Sequence, residues 1–252
     1  MIPLLSVLGL GFFLGMRHAT DADHVIAVST IVSRERTVTA AALIGILWGI
    51  GHTLTILMVG GSMILFNVII PPRIGLTMEL SVGLMLILLG VLNLTGIFRW
   101  IADNVTSQSH RHSHGDRPVD HGHAEEGGAV ALLDRRFGRL GLYQILRPLI
   151  VGVVHGLAGS AAVALLVLTT IRNPMWGLAY LLVFGGGTIA GMMLITAAIA
   201  LPFAYTLKRF VGVNRSLAVA SGLLSLGFGL FLVYQIGFID GLFSGHPRWT
   251  PE

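Results

Sequence analysis

Six long apolar runs divide the chain, at residues 2–33, 39–70, 76–98, 147–171, 175–207 and 216–240. At 1.5 Å of rise per residue, each is long enough as a helix to cross a hydrocarbon core of about 30 Å. Arg34-Glu35-Arg36, Pro71-Pro72 and Asn173-Pro174 punctuate the runs as turns. The first, second and fifth runs exceed the minimum length, which predicts tilt, a break or an extension beyond the lipid. Between the third and fourth lies a polar stretch, residues 99–146, too long for an ordinary connection. The pattern predicts an all-α integral membrane protein with about six transmembrane helices.

Composition agrees: 54% of residues are hydrophobic, 11% are charged, and the mean hydropathy is +0.82. Cysteine is absent, which excludes disulfides and thiolate metal ligands. The first run has no basic segment before it and leads straight into charged residues, so it reads as a span and not as a removable leader. Lys208 is the only lysine and follows no glycine-rich loop, so there is no nucleotide-binding Walker A pattern. Neither G-x-S-x-G nor H-E-x-x-H occurs, and nothing else points to an enzyme or to a bound cofactor. The basic residues lie in turns between apolar runs and form no patch for nucleic acid.

The two halves resemble each other. Gly15-Met-Arg-His18 is matched by Gly152-Val-Val-His155, Gly51-His52-Thr53 by Gly186-Gly187-Thr188, and Gly83-Leu-Met-Leu by Gly222-Leu-Leu-Ser, at offsets of 137, 135 and 139. A repeat of three spans turns its second copy upside down, the inverted arrangement common among secondary transporters, whose sites lie near the midplane. The expected organisation is therefore a first three-helix repeat at 1–98, a His-rich polar loop at 99–146, a second three-helix repeat at 147–240 and a tail at 241–252. Twelve of the sixteen Lys and Arg residues fall on the side of the long loop; Arg73, Arg172 and Arg248 fall on the other, and Arg17 lies within the first run. Positive charge stays inside. This places the loop in the cytoplasm and both termini outside, in a multi-pass protein of the inner (cytoplasmic) membrane.

The first run holds the candidate chemistry. Arg17, His18, Asp21, Asp23 and His24 fall within eight residues of its centre. Ionisable groups at bilayer depth cost about 2.5–3.5 kcal/mol each on insertion scales and are functional by default. Two carboxylates and two imidazoles form a ligand set for a divalent transition metal. At about 100° per residue, His18, Asp21 and His24 share an arc of roughly 120°, while Asp23 falls about 100° aside. Asp23 joins them only if the helix bends or unwinds there. Arg17 stands four residues before Asp21, at pairing distance on a helix.

Other polar residues lie near this set. His52, in Trp48-Gly-Ile-Gly-His52-Thr53, is flanked by glycines that admit a neighbouring helix. His155 is the repeat-mate of His18, but the second copy has Ala158 and Ser160 in place of Asp21 and Asp23. For both histidines, a plain hydrogen bond between helices competes with metal ligation. The loop from His110 to Glu126 carries five histidines and four acids, a composition that binds metals weakly or serves only as a solvated linker. Glu79 and Asn93 stand alone in the third run, the first expected at the interface and the second in a helix–helix hydrogen bond.

The string R-H-A-T-D-A-D-H resembles the signature of the nickel/cobalt transporter family (NiCoT, within the broader NicO group), H-x4-D-H, here His18, Asp23 and His24. Gly51-His52-Thr53 is similar to the family's second patch, and V-H-G-L-A-G-S around His155 to the short UreH-like branch. The ligand types alone leave nickel, cobalt, zinc, iron and manganese open; the resemblance implies Ni²⁺ or Co²⁺ as transported substrate. The expected metal residues are His18, Asp21, Asp23, His24, His52 and His155. An inside-negative potential of about 100 mV favours inward movement of a divalent cation by roughly 4.6 kcal/mol, so uptake is the expected direction. Proton-coupled efflux and a non-transporting, metal-binding accessory role are the alternatives. Expected partners are the metal ion and the bilayer, with a cytosolic metallochaperone as a candidate recipient and no nucleic acid or nucleotide.

Overall fold

The computed structural model describes residues 2–33, 35, 37–66, 70–96, 142–158, 171, 173–244 and 247–249. Among them the regular structure is helical: α1 (Ile2–His18), α2 (Ala22–Val32), α3 (Val38–Phe66), α4 (Pro72–Thr95), α5 (Leu142–Leu157), α6 (Pro174–Arg209) and α7 (Val211–Tyr234), with a π-helical turn at Gln235–Ile239. Four of the helical stretches are long and apolar enough to cross a membrane: Val38–Phe66, Pro72–Thr95, Pro174–Thr206 and Gly212–Ile239. Their large outward side chains, such as Met58, Phe66, Leu182 and Leu230, are apolar and exposed, as a lipid-facing surface requires. The chain is a membrane protein. The histidine-rich loop and the second half of the fourth apolar run lie outside the described residues.

Helix boundaries follow local chemistry. Pro72 and Pro174 occupy the first turns of α4 and α6, where a missing N–H costs nothing. Asn173 Oδ1 accepts from the Met175 amide at 2.9 Å and caps α6. Gly96 ends α4 in the left-handed conformation, φ 71°. The first apolar run, expected as one span, is two helices. After His18 the amides of Thr20 and Asp21 close tight turns on Arg17 and His18 carbonyls at 2.8 and 3.1 Å, and Thr20 Oγ1 returns to Arg17 O at 2.6 Å. Thr and Asp side chains compete with the helical backbone in this way.

Small residues let the helices cross closely. A Cβ on Gly15 of α1 would strike the carbonyl oxygen of Phe184 in α6, and one on Gly152 of α5 would strike that of Trp48 in α3. The same exchange recurs one turn away, with Gly187 against Phe12 O and Gly51 against Leu149 O. Thus α1 lies along α6 as α5 lies along α3, while α3 packs on α6 and α4 on α7. The pairing of α4 with α7 repeats the exchange, Gly90 meeting Gly222 and Gly83 meeting Gly229. Buried hydroxyls add bonds between helices: Thr53 Oγ1 to Gly185 O, Thr55 Oγ1 to Val153 O, Thr30 Oγ1 to Ser221 O and Ser225 Oγ to Leu86 O. Such bonds contribute about 0.6 kcal/mol each on average in a bilayer. Asn93 Nδ2 donates to Ala218 O at 2.8 Å, the helix–helix bond its sequence position suggests.

The shorter helix α2 is enclosed by these pairs. Ala27, Val28, Ile31 and Val32 join Val82, Leu86 and Leu89 of α4, and Met192, Ala200 and Phe203 of α6, in one apolar core. Burial of α2 fixes the break before it, and with that the position of His24 and Asp23.

Candidate metal site

The site lies where the break between α1 and α2 meets α3 and α5. His18 ends α1, Asp23 and His24 open α2, His52 sits mid-α3, and His155 sits in the last turn of α5. All four imidazoles are buried, His24, His52 and His155 completely. His18 Nε2 stands 3.0 Å from His52 Nε2. Ring centroids of His24 lie 4.7 Å from His18, 5.1 Å from His52 and 4.4 Å from His155. Trp48 stacks on His24 at 6.1 Å and contacts His155 at 5.3 Å, while Phe184 faces His18 at 5.8 Å. Aromatic and aliphatic groups therefore wall the imidazoles off from water.

Two carboxylates orient these rings. Asp21 Oδ2 accepts from His18 Nδ1 at 2.6 Å. Asp23 accepts from His24 Nδ1 through Oδ1 at 3.0 Å and from His155 Nε2 through Oδ2 at 2.9 Å. Carboxylates only accept, so the ring protons sit on those three nitrogens. A neutral imidazole then carries a lone pair on its other nitrogen, which is His18 Nε2, His24 Nε2 and His155 Nδ1. His52 donates to His18 from Nε2 and keeps its own lone pair on Nδ1. Among the described residues His24 Nε2, His52 Nδ1 and His155 Nδ1 have no hydrogen-bond partner, though all three are buried. A buried polar atom left without a hydrogen bond costs about 1–3 kcal/mol.

Donor atoms converge in two overlapping sets. One atom each from His18, His24 and His52 lies within 4.8 Å of the others, and so does one each from Asp23, His24 and His155. Five of the six expected residues are thus brought together. Asp21 belongs to neither set: it is half-exposed, stands at the N-cap of α2, and gives its carboxylate to His18 in place of a capping bond. Nor does it pair with Arg17, which is exposed. The backbone break turns Asp23 into the site, which a straight helix could not do. Sequence reasoning missed Trp48 and Phe184 as the site's walls; their aromatic bulk beside Gly49 and Gly185 is the signal that was there to find.

A family model described as "High-affinity nickel-transport protein" matches residues 4–240. The chain belongs to this family, NicO. Its members are transporters, in keeping with the absence of enzyme motifs in this NicO chain. It is similar to a urease accessory protein, UreH, of Bacillus sp. (strain TB-90), with 35% identity over 243 residues that cover 96% of this chain and 97% of the relative. No solved structure matches it. The family assignment agrees with the resemblance carried by His18, Asp23 and His24.

Proposed function

We propose that this NicO protein is a permease that moves Ni²⁺ or Co²⁺ inward across the cytoplasmic membrane, and that the buried imidazoles are its substrate site. One observation carries the reading: His18, His24 and His52, from three helices, are buried and offer donor atoms within 4.8 Å of one another. Imidazole nitrogens suit nickel and cobalt, and a thiolate-free site disfavours softer ions. Asp23 either joins the cation directly or holds His24 and His155 in the tautomers that present their lone pairs, as outer carboxylates do at metal centres. Asp21 does the same for His18.

The exchanged contacts, Gly15 on Phe184 against Gly152 on Trp48, support two inverted three-helix halves, 1–98 and 147–240, joined by the cytoplasmic loop. The site lies at their crossing, and rocking of one half against the other would open it to each side in turn. The arginine distribution supports both termini outside, and the membrane potential supports uptake.

Flux of radiolabelled nickel into proteoliposomes tests the site. Wild type should accumulate label, and His18→Ala and Asp23→Asn should do so far more slowly; equal flux in all three would overturn the assignment. Direction is read in cells, where loss of an importer gives resistance to nickel and loss of an exporter gives hypersensitivity. The relative's name, a urease accessory protein, favours one other reading, a metal-binding scaffold without transport. Proteoliposomes loaded with a metal-sensitive dye would then stay dark.

A further inference from the structure

A cavity of about 270 Å³ adjoins the site. Ala22 and Asp23 form its inner end, apolar side chains of α4 and α7 form its walls, and Glu79, Asp240, Arg248 and Trp249 form its outer end. One water needs only about 10–15 Å³ of such space, so a cation with several waters fits. Carboxylates along an apolar-walled channel concentrate cations within it.

The outer end is lined and narrowed by the chain's own tail. Beyond the π-helical turn, Gly241 takes a left-handed φ of 78° and the chain reverses. The Arg248 amide donates to Asp240 O at 2.8 Å, which brings Trp249 back over α4. There Trp249 Nε1 donates to Glu79 Oε1 at 2.8 Å, and the indole lies so close on Gly75 that a Cβ would collide with its ring. A tail that only frayed into solvent would need neither the glycine seat nor the half-buried bond to a carboxylate.

We propose that Trp249 is a plug over the route to Asp23, and that its release widens the cavity and exposes Glu79 along the path of the incoming cation. This rests on the imidazole cluster being the substrate site. With both termini outside, the plug faces the side from which metal is taken up. Glu79 is then a residue of the access route, not an interfacial ornament of α4.

The chain contains no cysteine, so a single introduced thiol reports access without background. Val82 lines the cavity and is 2% exposed. Val82→Cys in nanodiscs, treated with a charged methanethiosulfonate reagent, should label slowly. Adding Trp249→Ala should speed labelling about fivefold or more, as loss of a hydrogen bond and a ring contact shifts the closed population. Trp249→Phe, which keeps the ring without the N–H, and Glu79→Gln should give smaller accelerations and cover the case that Trp249→Ala does not fold. Unchanged labelling in all the variants that elute as folded protein would overturn the plug. Nickel flux is measured on the same variants: accelerated labelling with no flux even in wild type would leave the plug standing and remove the cargo assignment. Flux with unaltered labelling would do the reverse.

Discussion

Asp23 and His155 meet at 2.9 Å across 132 residues of chain. The same carboxylate holds His24 through its other oxygen at 3.0 Å. One acid in the first half of the molecule thereby sets the ring orientation of a histidine in each half. Any relative motion of the halves must keep, stretch or break this link, which ties the site's geometry to the conformation of the whole bundle.

Asp23→Asn should therefore act on two histidines at once. An amide still occupies the space, but its NH₂ group faces a ring N–H and forces one imidazole to turn or change tautomer. Outer carboxylates at metal sites are worth about 10- to 100-fold in affinity or activity, and a loss in the upper part of that range is expected here. Nickel titration of the purified protein by calorimetry, together with initial flux, checks it.

Asp21→Asn should be milder. Its carboxylate side chain is 48% exposed and orients only His18, so water can replace much of what it supplies. A loss of about three- to tenfold is expected, toward the lower end for such groups. If Asp21→Asn proves as damaging as Asp23→Asn in the same flux measurement, Asp21 is a direct ligand and not an orienting group.

Adjacent glycines in α6 give a test of packing. Gly187 is pressed against Phe12 O, whereas nothing lies within 4 Å of a Cβ on Gly186. Gly187→Ala should cost about 1–3 kcal/mol by overpacking and lower the melting temperature in detergent. Gly186→Ala should be neutral or stabilising by up to about 1 kcal/mol, from helix propensity alone. Gly15→Ala should behave as Gly187→Ala does, because it strikes Phe184 O in the same helix pair.

Glu35, in the turn between α2 and α3, offers a pH-dependent test outside the spans. Burial pushes its carboxyl above the ordinary value of 4.5, with the Arg147 guanidinium pulling the other way. The fold favours the neutral acid, so this stabilisation is full below pH 4.5 and is lost as pH rises through the elevated value. Glu35→Gln mimics the neutral form. It should raise the melting temperature slightly relative to wild type at pH 7 and leave no difference at pH 4, read by thermal melts at both.

Much of the site was legible in the sequence because its signal is local. His18, Asp23 and His24 stand out since charge is rare in an apolar run, and His52 and His155 follow from glycine-flanked polar positions in other runs. The partner of Glu79 could not be read this way. That partner, Trp249, is 170 residues away and sits in a tail with no periodic pattern to read.

The order of apolar runs, the punctuating prolines and the local acid–imidazole motif from His18 to His24 were determined by the sequence alone, since each depends on neighbours within a turn or two. Tertiary structure decided the rest. Enclosing α2 between α4, α6 and α7 decides that the first run must break after His18, and the break decides which way Asp23 faces. No spacing along the chain encodes that direction, because it arises where helices from distant parts of the sequence compete for the same space.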